Sequence, residues 1–234
     1  MSVPGAPLRT FKHRRGRITA GQQRALDTLW ARYGIDVGTR PLDVEVIYQR
    51  AAPLVLEVGF GMGEATIAMA AAAPGTDLLA VDVHTPGAGA LLREVNSLGL
   101  SNVRVVVGDV RDVLADMLAP ESLEEVRIYF PDPWPKAKHR KRRLLSPAFL
   151  HLTATRLRPG GRLHCATDSK SYAEQMLMAI AGEALLGNQH PGYAPRPAGR
   201  PVTRFEGQAL ARGHDLFELS AVKVSAGRQL GATG

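Results

Sequence analysis

The sequence predicts an α/β fold: a mostly parallel sheet with helices on both faces and a late antiparallel strand. From residue 53 onward, short apolar runs alternate with helical segments, and acidic residues end several of these runs. Such alternation is typical of parallel strands that are joined by helices. The predicted strands are residues 54–58, 78–81, 103–107, 126–130, 162–166 and, after a loop rich in proline and glycine at 187–201, 216–224.

The helices between these strands are indicated by their end residues and by their composition. Thr19 and Ser169 carry side chains that can cap helices, Gly34 is expected to end the first helix, and Pro147 is acceptable at a first helical position. The predicted helices cover residues 19–32, 64–73, 88–98, 110–118, 147–157 and 169–186.

Composition favours an intracellular protein with a polyanionic partner. The chain has 234 residues, of which 45% are hydrophobic, with a formal net charge of +7 and a pI near 9.9. Such a charge favours nucleic acid or an anionic membrane surface as the partner. The single cysteine cannot form an internal disulfide, and no apolar run reaches the roughly 18 residues of a membrane span. We therefore expect a cytoplasmic protein without a metal, either a monomer or a homodimer.

The N-terminal segment is more basic than the rest of the chain. Residues 1–18 contain several arginines and no acid, and the first acidic residue is Asp27. Such an arm often contacts nucleic acid when it becomes ordered. We divide the chain into a basic arm and helix at 1–40, one domain at 41–224 and a disordered tail at 225–234.

A glycine-rich turn joins the first predicted strand to the helix that follows it. Glu57, Gly59, Gly61 and Gly63 stand at this junction, where glycine lets a ligand approach the backbone closely. The dinucleotide-binding pattern needs glycine or alanine next, but Glu64 is there and would repel a pyrophosphate. The turn therefore suits a nucleotide-like ligand that lacks phosphates.

Four aspartates end or follow consecutive predicted strands: Asp82, Asp109, Asp132 and Asp168. Open α/β sheets bind their ligands at the carboxyl ends of the strands. Asp82 stands where an acid accepts hydrogen bonds from ribose hydroxyls, and Asp109 can meet an adenine amino group. A nucleoside with a positive sulfonium and no phosphate fits this acidic rim, so we expect S-adenosylmethionine as the cofactor.

The stretch 127–143 combines an unusual loop with a run of cations. Three prolines among residues 131–135 exclude a helix and predict a stiff loop that carries Asp132 and Trp134. Six of the eight residues at 136–143 are lysine or arginine. A carboxylate and an aromatic ring suit a flat base, and the cations suit a phosphate backbone. Trp134 either stacks on a base or packs beneath the loop.

On these residues, the chain closely resembles the tRNA (guanine-N7-)-methyltransferase family from about residue 10 to residue 219. The glycine motif at 56–63 is shared with many methyltransferases, whereas Phe-Pro-Asp-Pro-Trp at 130–134 with its basic run is far more specific. Further matching segments are 17–26, 83–87, 166–168, 195–197 and 203–206. The chain departs from the family at Arg204, usually lysine, and at Asp82, commonly glutamate; both residues keep the charge.

The resemblance implies a class I, Rossmann-like methyltransferase that uses S-adenosylmethionine. The implied substrate is tRNA, methylated at N7 of the variable-loop guanine at position 46. The implied cofactor site is Glu57, Gly59, Gly61, Gly63, Asp82, Asp109 and Asp132, and the implied substrate site is Lys136, Asp168, Thr203, Arg204, Phe205 and Glu206. The implied RNA contacts are Lys138, His139, Arg140, Lys141, Arg142 and Arg143.

The chemistry of N7 methylation requires alignment and not proton removal, because N7 carries a lone pair and no proton. Asp132, the predicted catalytic residue, can hold the amino edge of guanine and stabilise the cationic product. Glu206 can do the same from the other side. Lys136 is expected to hold a phosphate or a carbonyl oxygen, because a cation at N7 would oppose the reaction.

Two other functions stay open at this point. A class I methyltransferase could modify another RNA nucleophile, such as an exocyclic amine. A non-catalytic RNA-binding protein with a vestigial nucleotide fold would account for the cations but not for the acids at the strand ends. A dinucleotide oxidoreductase is disfavoured by Glu64. We interpret His84, His164 and Cys165 as structural.

Overall fold

The computed structural model describes residues 10–11 and 17–225. Most of the predicted basic arm, and the predicted tail beyond residue 225, lie outside the described residues. The strands are β1 (Gly34–Ile35), β2 (Leu54–Val58), β3 (Asp77–Asp82), β4 (Val103–Val107), β5 (Leu123–Tyr129), β6 (Leu157–Thr167), β7 (Leu186–Asn188) and β8 (Phe217–Lys223). The helices are α1 (Ala20–Tyr33), α2 (Val44–Tyr48), α3 (Glu64–Ala72), α4 (Thr85–Ser97), α5 (Val110–Asp112), α6 (Pro147–Arg156), α7 (Lys170–Ala181) and α8 (Arg204–Ala211).

The described strands form one sheet in the order β1-β4-β3-β2-β5-β6-β8-β7. The pairs among β1 to β6 are parallel, and β8 runs antiparallel to both of its neighbours. This arrangement confirms the predicted parallel sheet with a late antiparallel strand. The carboxyl ends of β2 to β5 meet at one edge, which is where sheets of this kind bind ligands.

Helices cover both faces of the sheet, and each face has its own apolar core. Tyr33 of α1 and Leu91 of α4 are buried in one core. Phe149 of α6 and Tyr172 of α7 are buried in the other. Burial of apolar side chains on both faces holds the strand ends in fixed positions.

Helix α1 belongs to the folded core and does not stand apart from it. The side chain of Thr19 accepts a hydrogen bond from the Gln22 amide, and the Gln22 side chain accepts one from the Thr19 amide, which completes a capping box. A Cβ atom on Gly89 of α4 would come within 2.5 Å of the Gln22 carbonyl oxygen, so only glycine lets the helices approach this closely. The predicted boundary at residue 40 stays a prediction.

Several elements differ from the sequence-based expectation. The sequence analysis does not predict α2, α8, β1 or β7. Strand β7 lies partly within the predicted loop 187–201, and it forms because it pairs with β8, a long-range contact that its own composition does not signal. The predicted helix 169–186 ends at Ala181, where Gly182 caps it. The basic run forms a 3₁₀ helix, Ala137–Arg142.

Candidate active site

The turn from β2 to α3 presents an open stretch of backbone. Gly59, Gly61 and Gly63 have φ angles of 85°, 60° and 91°, in the left-handed region that glycine adopts readily. A Cβ atom on Gly59 or Gly61 would meet nothing within 4 Å, whereas one on Gly63 would come within 2.9 Å of Leu91 in α4. The turn therefore packs on α4 at one end and leaves open space at the other.

Asp82, the last residue of β3, fastens this turn. Its Oδ2 accepts a 2.8 Å hydrogen bond from the Gly61 amide, and its Oδ1 accepts one of 3.1 Å from the His84 amide. Burial raises the pKa of Asp82, and the backbone hydrogen bonds oppose that rise. Each carboxylate oxygen has a second lone pair, so Asp82 can also accept from a pair of hydroxyl groups.

Glu57 of β2 is buried with one carboxyl oxygen unpaired. Glu57 is only 3% exposed, and its Oε2 has no hydrogen-bond partner among the described residues. Burial raises the pKa of Glu57 to about 7, although the neighbouring Thr66 side chain and the positive charge of Arg127 oppose this rise. A buried oxygen without a donor is costly, so a donor group on a ligand would satisfy it.

Asp109 caps the short helix α5 and is already paired. The Arg111 side chain donates from Nη2 to Asp109 Oδ2 at 2.6 Å and from Nε to Oδ1 at 3.1 Å. The Arg111 amide donates to Oδ1 at 3.0 Å. Burial alone would raise the pKa of Asp109, but the Arg111 hydrogen bonds and charge outweigh it and lower the pKa. Asp109 is therefore held ionised at the rim.

Two adjoining pockets open at the carboxyl ends of β2 to β5, and we call them together the strand-end pocket. The first is lined by residues that include Thr10, Phe11, Gly59, Asp82, His84, Asp109, Tyr129, Phe130, Asp132 and Phe205. The second is lined by residues that include Glu57, Gly59, Gly61, His84, Tyr129, Thr203, Arg204, Phe205 and Gln208. Because several residues line both, the two pockets form one site.

The proline loop leaves β5 through an uncommon backbone conformation. Phe130 and Trp134 have φ angles of 52° and 41°, where residues other than glycine are rarely found. The Phe130 amide donates to the Ala166 carbonyl of β6 at 2.8 Å. Trp134 is 7% exposed, and its Nε1 donates to the Thr10 carbonyl at 3.1 Å. Trp134 thus packs beneath the loop, whereas Asp132 lines the strand-end pocket.

Arg143 belongs to the scaffold of this loop, and its predicted contact with RNA stays a prediction. The residue is 2% exposed. Its Nε donates to the Pro133 carbonyl at 2.8 Å, and its Nη1 donates to the Ser171 carbonyl at 3.0 Å and to Gln175 Oε1 at 2.8 Å. The guanidinium also lies over the Tyr172 ring, 4.7 Å from the centroid. The guanidinium is thus engaged with the loop, with α7 and with the Tyr172 ring in this structure.

The other cations of the basic run lie on the surface beside the pocket. Lys136, Lys138, Arg140 and Lys141 are exposed, and His139 and Arg142 are half-buried. The ring centroid of His139 is 5.8 Å from that of Trp134, and the Arg142 guanidinium lies 5.0 Å from the Trp134 centroid. Cations at this density favour contact with a phosphate backbone.

Glu206 is buried at the start of α8, and its predicted contact with the substrate stays a prediction. It completes a capping box: its amide donates to Thr203 Oγ1 at 3.1 Å, and its Oε2 accepts from the Thr203 amide at 3.3 Å. Its oxygens also accept from Arg196 and Arg200, and the residue is fully buried. The two residues between Thr203 and Glu206 line the strand-end pocket, but Glu206 does not.

Asp168 and Lys136 lie outside the lining of the strand-end pocket. Asp168 follows β6, and its Oδ2 is 3.1 Å from Nδ1 of His214, in the loop after α8. Lys136 precedes the 3₁₀ helix and is exposed. Lys136 is thus accessible and Asp168 is half-buried, and their predicted contacts with the substrate stay predictions.

Sequence reasoning missed Tyr129 and the segment 10–11, and it interpreted His84 as structural although His84 lines the pocket. Tyr129 directly precedes the specific motif, so its position at the end of β5 could have identified it. The contact of Thr10 with Trp134 spans 124 positions in sequence, and no local signal reveals it. Cys165 is fully buried, as its structural interpretation requires, and burial raises the pKa of its thiol.

The described part of the chain has neither a metal-binding cluster nor a membrane-spanning helix. Among residues 10–11 and 17–225, no group of three or more His, Cys, Asp or Glu side chains is arranged to hold a metal ion. Within that same part of the chain, no helix has both the length and the apolar character needed to cross a bilayer.

Comparison with known proteins identifies the family to which this chain belongs. A family model described as a putative methyltransferase matches residues 51–219. A tRNA (guanine-N(7)-)-methyltransferase of Streptomyces avermitilis is 54% identical over 91% of this chain and 74% of its own length. Proteins of the same name from Nitrosospira multiformis and Bordetella pertussis are 49% and 50% identical, each over 92% of this chain and over 94% and 85% of their own lengths.

Solved structures share the fold at lower identity. The 16S rRNA methyltransferase KamB has a TM-score of 0.59 and 17% identity, and the match covers 80% of this chain and 95% of that one. A 16S rRNA (adenine(1408)-N(1))-methyltransferase from Catenulisporales acidiphilia, solved with its cosubstrate SAM, has a TM-score of 0.54 and 16% identity, covering 83% and 98%. These matches confirm the predicted class I methyltransferase fold. Because the sequence relatives match at about half of all positions over nearly the whole chain, the protein belongs to the tRNA (guanine-N(7)-)-methyltransferase family.

Proposed function

We propose that the protein transfers a methyl group from S-adenosylmethionine to N7 of the guanine at position 46, in the variable loop of tRNA. One observation carries the proposal. Asp132, on the loop that leads into the exposed cations, lines the same pocket as Asp82 and the open glycine turn. A base held by Asp132 and a nucleoside held by Asp82 would therefore meet in one pocket. Family membership supports the same reaction, and the cytoplasmic location stays part of the proposal.

The residues of the strand-end pocket fit S-adenosylmethionine. Open space above Gly59 and Gly61 admits a ligand against the backbone. Asp82 would accept from the ribose hydroxyls, and the unpaired oxygen of Glu57 would accept from the amino group of the methionine part. No side chain of the turn offers a positive charge to a phosphate, which suits a cofactor that has none. When bound, S-adenosylmethionine supplies a methyl group whose bond to sulfur breaks as the bond to N7 forms.

The remaining work of the site is alignment and electrostatic stabilisation. N7 of guanine carries a lone pair and no proton, so no residue has to act as a general base. Asp132 would accept hydrogen bonds from the amino edge of guanine and hold the base in register. The ring becomes positively charged as N7 gains the methyl group, and the carboxylate stabilises that charge increasingly along the reaction.

The surface around the pocket would hold the tRNA. Lys138, Arg140 and Lys141 are exposed on the 3₁₀ helix beside the loop, where they would contact phosphates. Phe205 and Arg204 border the pocket from α8 and would contact the nucleotide that enters it. Phosphate contacts supply affinity, and the pocket supplies the choice of base.

The proposal is tested with unmodified tRNA transcripts and methyl-labelled S-adenosylmethionine. We expect labelled N7-methylguanosine after nuclease digestion, and cleavage at position 46 after treatment with borohydride and aniline. A transcript with adenine at position 46 is the control and should take up no label. Label in an exocyclic N-methylated nucleoside would support methylation of another nucleophile, and absence of any label would contradict the proposed activity.

A further inference from the structure

A network of ionisable side chains, most of them buried, lies behind the wall of the strand-end pocket. It consists of the exposed Arg196 and the buried Arg200, Glu206, Glu218 and His164, which we call the buried ion cluster. Nothing in the sequence motif marks it as a unit, because its members come from β6, β8, α8 and the loop before α8. Its central member is Arg200, which is 5% exposed.

Arg200 joins two carboxylates that come from different elements. Its Nη1 donates to Glu206 Oε2 at 2.8 Å, and its Nη2 donates to Glu206 Oε1 at 2.9 Å. The same Nη2 donates to Glu218 Oε1 at 2.5 Å. The fork geometry of the guanidinium makes this bridge possible, and a lysine ammonium cannot reproduce it. Arg200 therefore fastens the first turn of α8 to strand β8.

The network continues from β8 to the wall of the pocket. Glu218 Oε2 lies 2.7 Å from His164 Nε2, and His164 Nδ1 lies 3.0 Å from the Tyr129 hydroxyl. The Arg200 guanidinium also lies over the Tyr129 ring, 5.0 Å from its centroid. Tyr129 is thus held both at its hydroxyl and on its face.

Both ends of this network are walls of the strand-end pocket. Tyr129, at one end, lines both parts of the pocket, and so does Phe205, which follows the first residue of α8 at the other end. Buried ion pairs add little net stability compared with apolar side chains of similar size, because their desolvation is costly. Arg200 even keeps its Nε buried without a hydrogen-bond partner among the residues that the structure describes. The position of the cluster next to the pocket accounts for it better than a stabilising role does.

We propose that Arg200 is a positioning residue for methyl transfer: through Glu206 and Glu218 it holds Phe205 and Tyr129 at the distance that aligns the target base with the cofactor. This inference rests on the proposed function and adds residues outside its contacts. Misalignment of reacting groups by about 1 Å can cost up to roughly 100-fold in rate. Loss of Arg200 should therefore slow the chemical step more than it weakens binding.

The test compares Arg200→Lys and Glu218→Gln with Arg158→Lys. Arg158 pairs with Glu124 at the surface, and its hydrogen bonds within the described part of the chain go to Glu124 and Pro159, so it is the matched control. Single-turnover rates, cofactor and tRNA dissociation constants, and hydrogen exchange of α8 and α6 amides are measured well below the melting temperature. We expect rates lowered roughly 10- to 100-fold, dissociation constants within about threefold of wild type, and faster exchange in α8 but not in α6.

Each other outcome overturns the inference. A folded variant with a rate near that of wild type would show that Arg200 does not position the walls. Rate, affinity and melting temperature that fall together, with faster exchange in α6 as well, would show a merely structural role. If Arg200→Lys fails to fold, Glu218→Gln decides by the same criteria. If wild-type protein makes no N7-methylguanosine, the proposed function is wrong. Separately, hydrogen exchange of α8 that is unchanged in the variants would show that Arg200 does not position this helix.

Discussion

The guanidinium of Arg143 donates a 2.8 Å hydrogen bond to the carbonyl oxygen of Pro133, the residue that follows Asp132. The same guanidinium is anchored on α7 through Ser171 and Gln175. The loop that carries Asp132 is therefore tied to a helix of the core by one arginine. Its neighbour Arg142 lies over the Trp134 ring and is half-buried.

Arg143→Lys should destabilise the fold, because an ammonium keeps the charge but cannot supply the same set of donors. We expect a loss of about 1–3 kcal/mol in the free energy of unfolding, the typical cost of leaving buried acceptors without donors. Urea denaturation measures it. Arg142→Lys is the matched control and should lie within about 0.5 kcal/mol of wild type. Equal stability of the two variants would contradict the scaffold role of Arg143.

Lys138→Ala and Lys141→Ala should weaken tRNA binding in a salt-dependent way. If each cation neutralises one phosphate, each substitution should lower the slope of log affinity against log salt by about 0.7–0.9. Filter binding over a range of salt concentrations gives the slope, and cofactor affinity should not change. Arg158→Ala, which removes an exposed cation elsewhere, serves as the control. A slope equal to that of wild type in both lysine variants would mean that the run is only a solvated surface.

Cofactor affinity should depend on pH through Glu57, whose pKa burial raises to about 7. If the ionised form binds the amino group of the cofactor, the association constant should fall by roughly tenfold per pH unit below 7 and level off above it. Calorimetry from pH 5.5 to 8.5 measures this change at constant ionic strength. The Glu57→Gln variant should bind the cofactor more weakly than wild type at pH 8, and its affinity should not change with pH. A Glu57→Gln profile parallel to that of wild type would remove Glu57 from the site.

The same shift has a consequence for the stability of the cofactor-free protein. The pKa of Glu57 in the folded state lies above the ordinary glutamate value of 4.5, so the folded state holds this proton more tightly than the unfolded state does. The contribution of Glu57 to stability is therefore fully present below pH 4.5 and is lost as pH rises through about 7. Glu57→Gln should remove this loss, which thermal denaturation at several pH values would detect.

The alternation of apolar runs and capped helices was enough to predict the sheet and most of its helices. Thr19 illustrates why: its capping box with Gln22 is a local feature that the sequence displays directly. Strands β1 and β7 could not be predicted in this way, because two or three residues carry no periodicity and their pairing partners are distant in the chain.

Residue type and strand-end position were enough to bring Asp82 and Asp132 together in one pocket, and their roles there stay predictions. Burial is harder to predict where adjacent residues carry the same charge. Arg142 and Arg143 look alike in the sequence, yet only the turn after the 3₁₀ helix decides which of them points inward. Glu206 had a readable signal, the Thr-x-x-Glu pattern of a capping box, which indicated a buried structural role.

The central claim is that Asp132, on the loop after β5, aligns the guanine and stabilises the positive charge that develops during methyl transfer to N7. The measurement that tests it most directly is the single-turnover rate of Asp132→Asn from pH 6 to 9, with N7-methylguanosine as the product measured. The substitution conserves size in a partly buried loop and should leave the fold and most of the tRNA affinity intact. Our account predicts a rate lowered about 100-fold or more at every pH, because a preorganised charge is lost and no proton has to be removed. A rate within a few-fold of wild type, or a steep recovery at high pH, would contradict it.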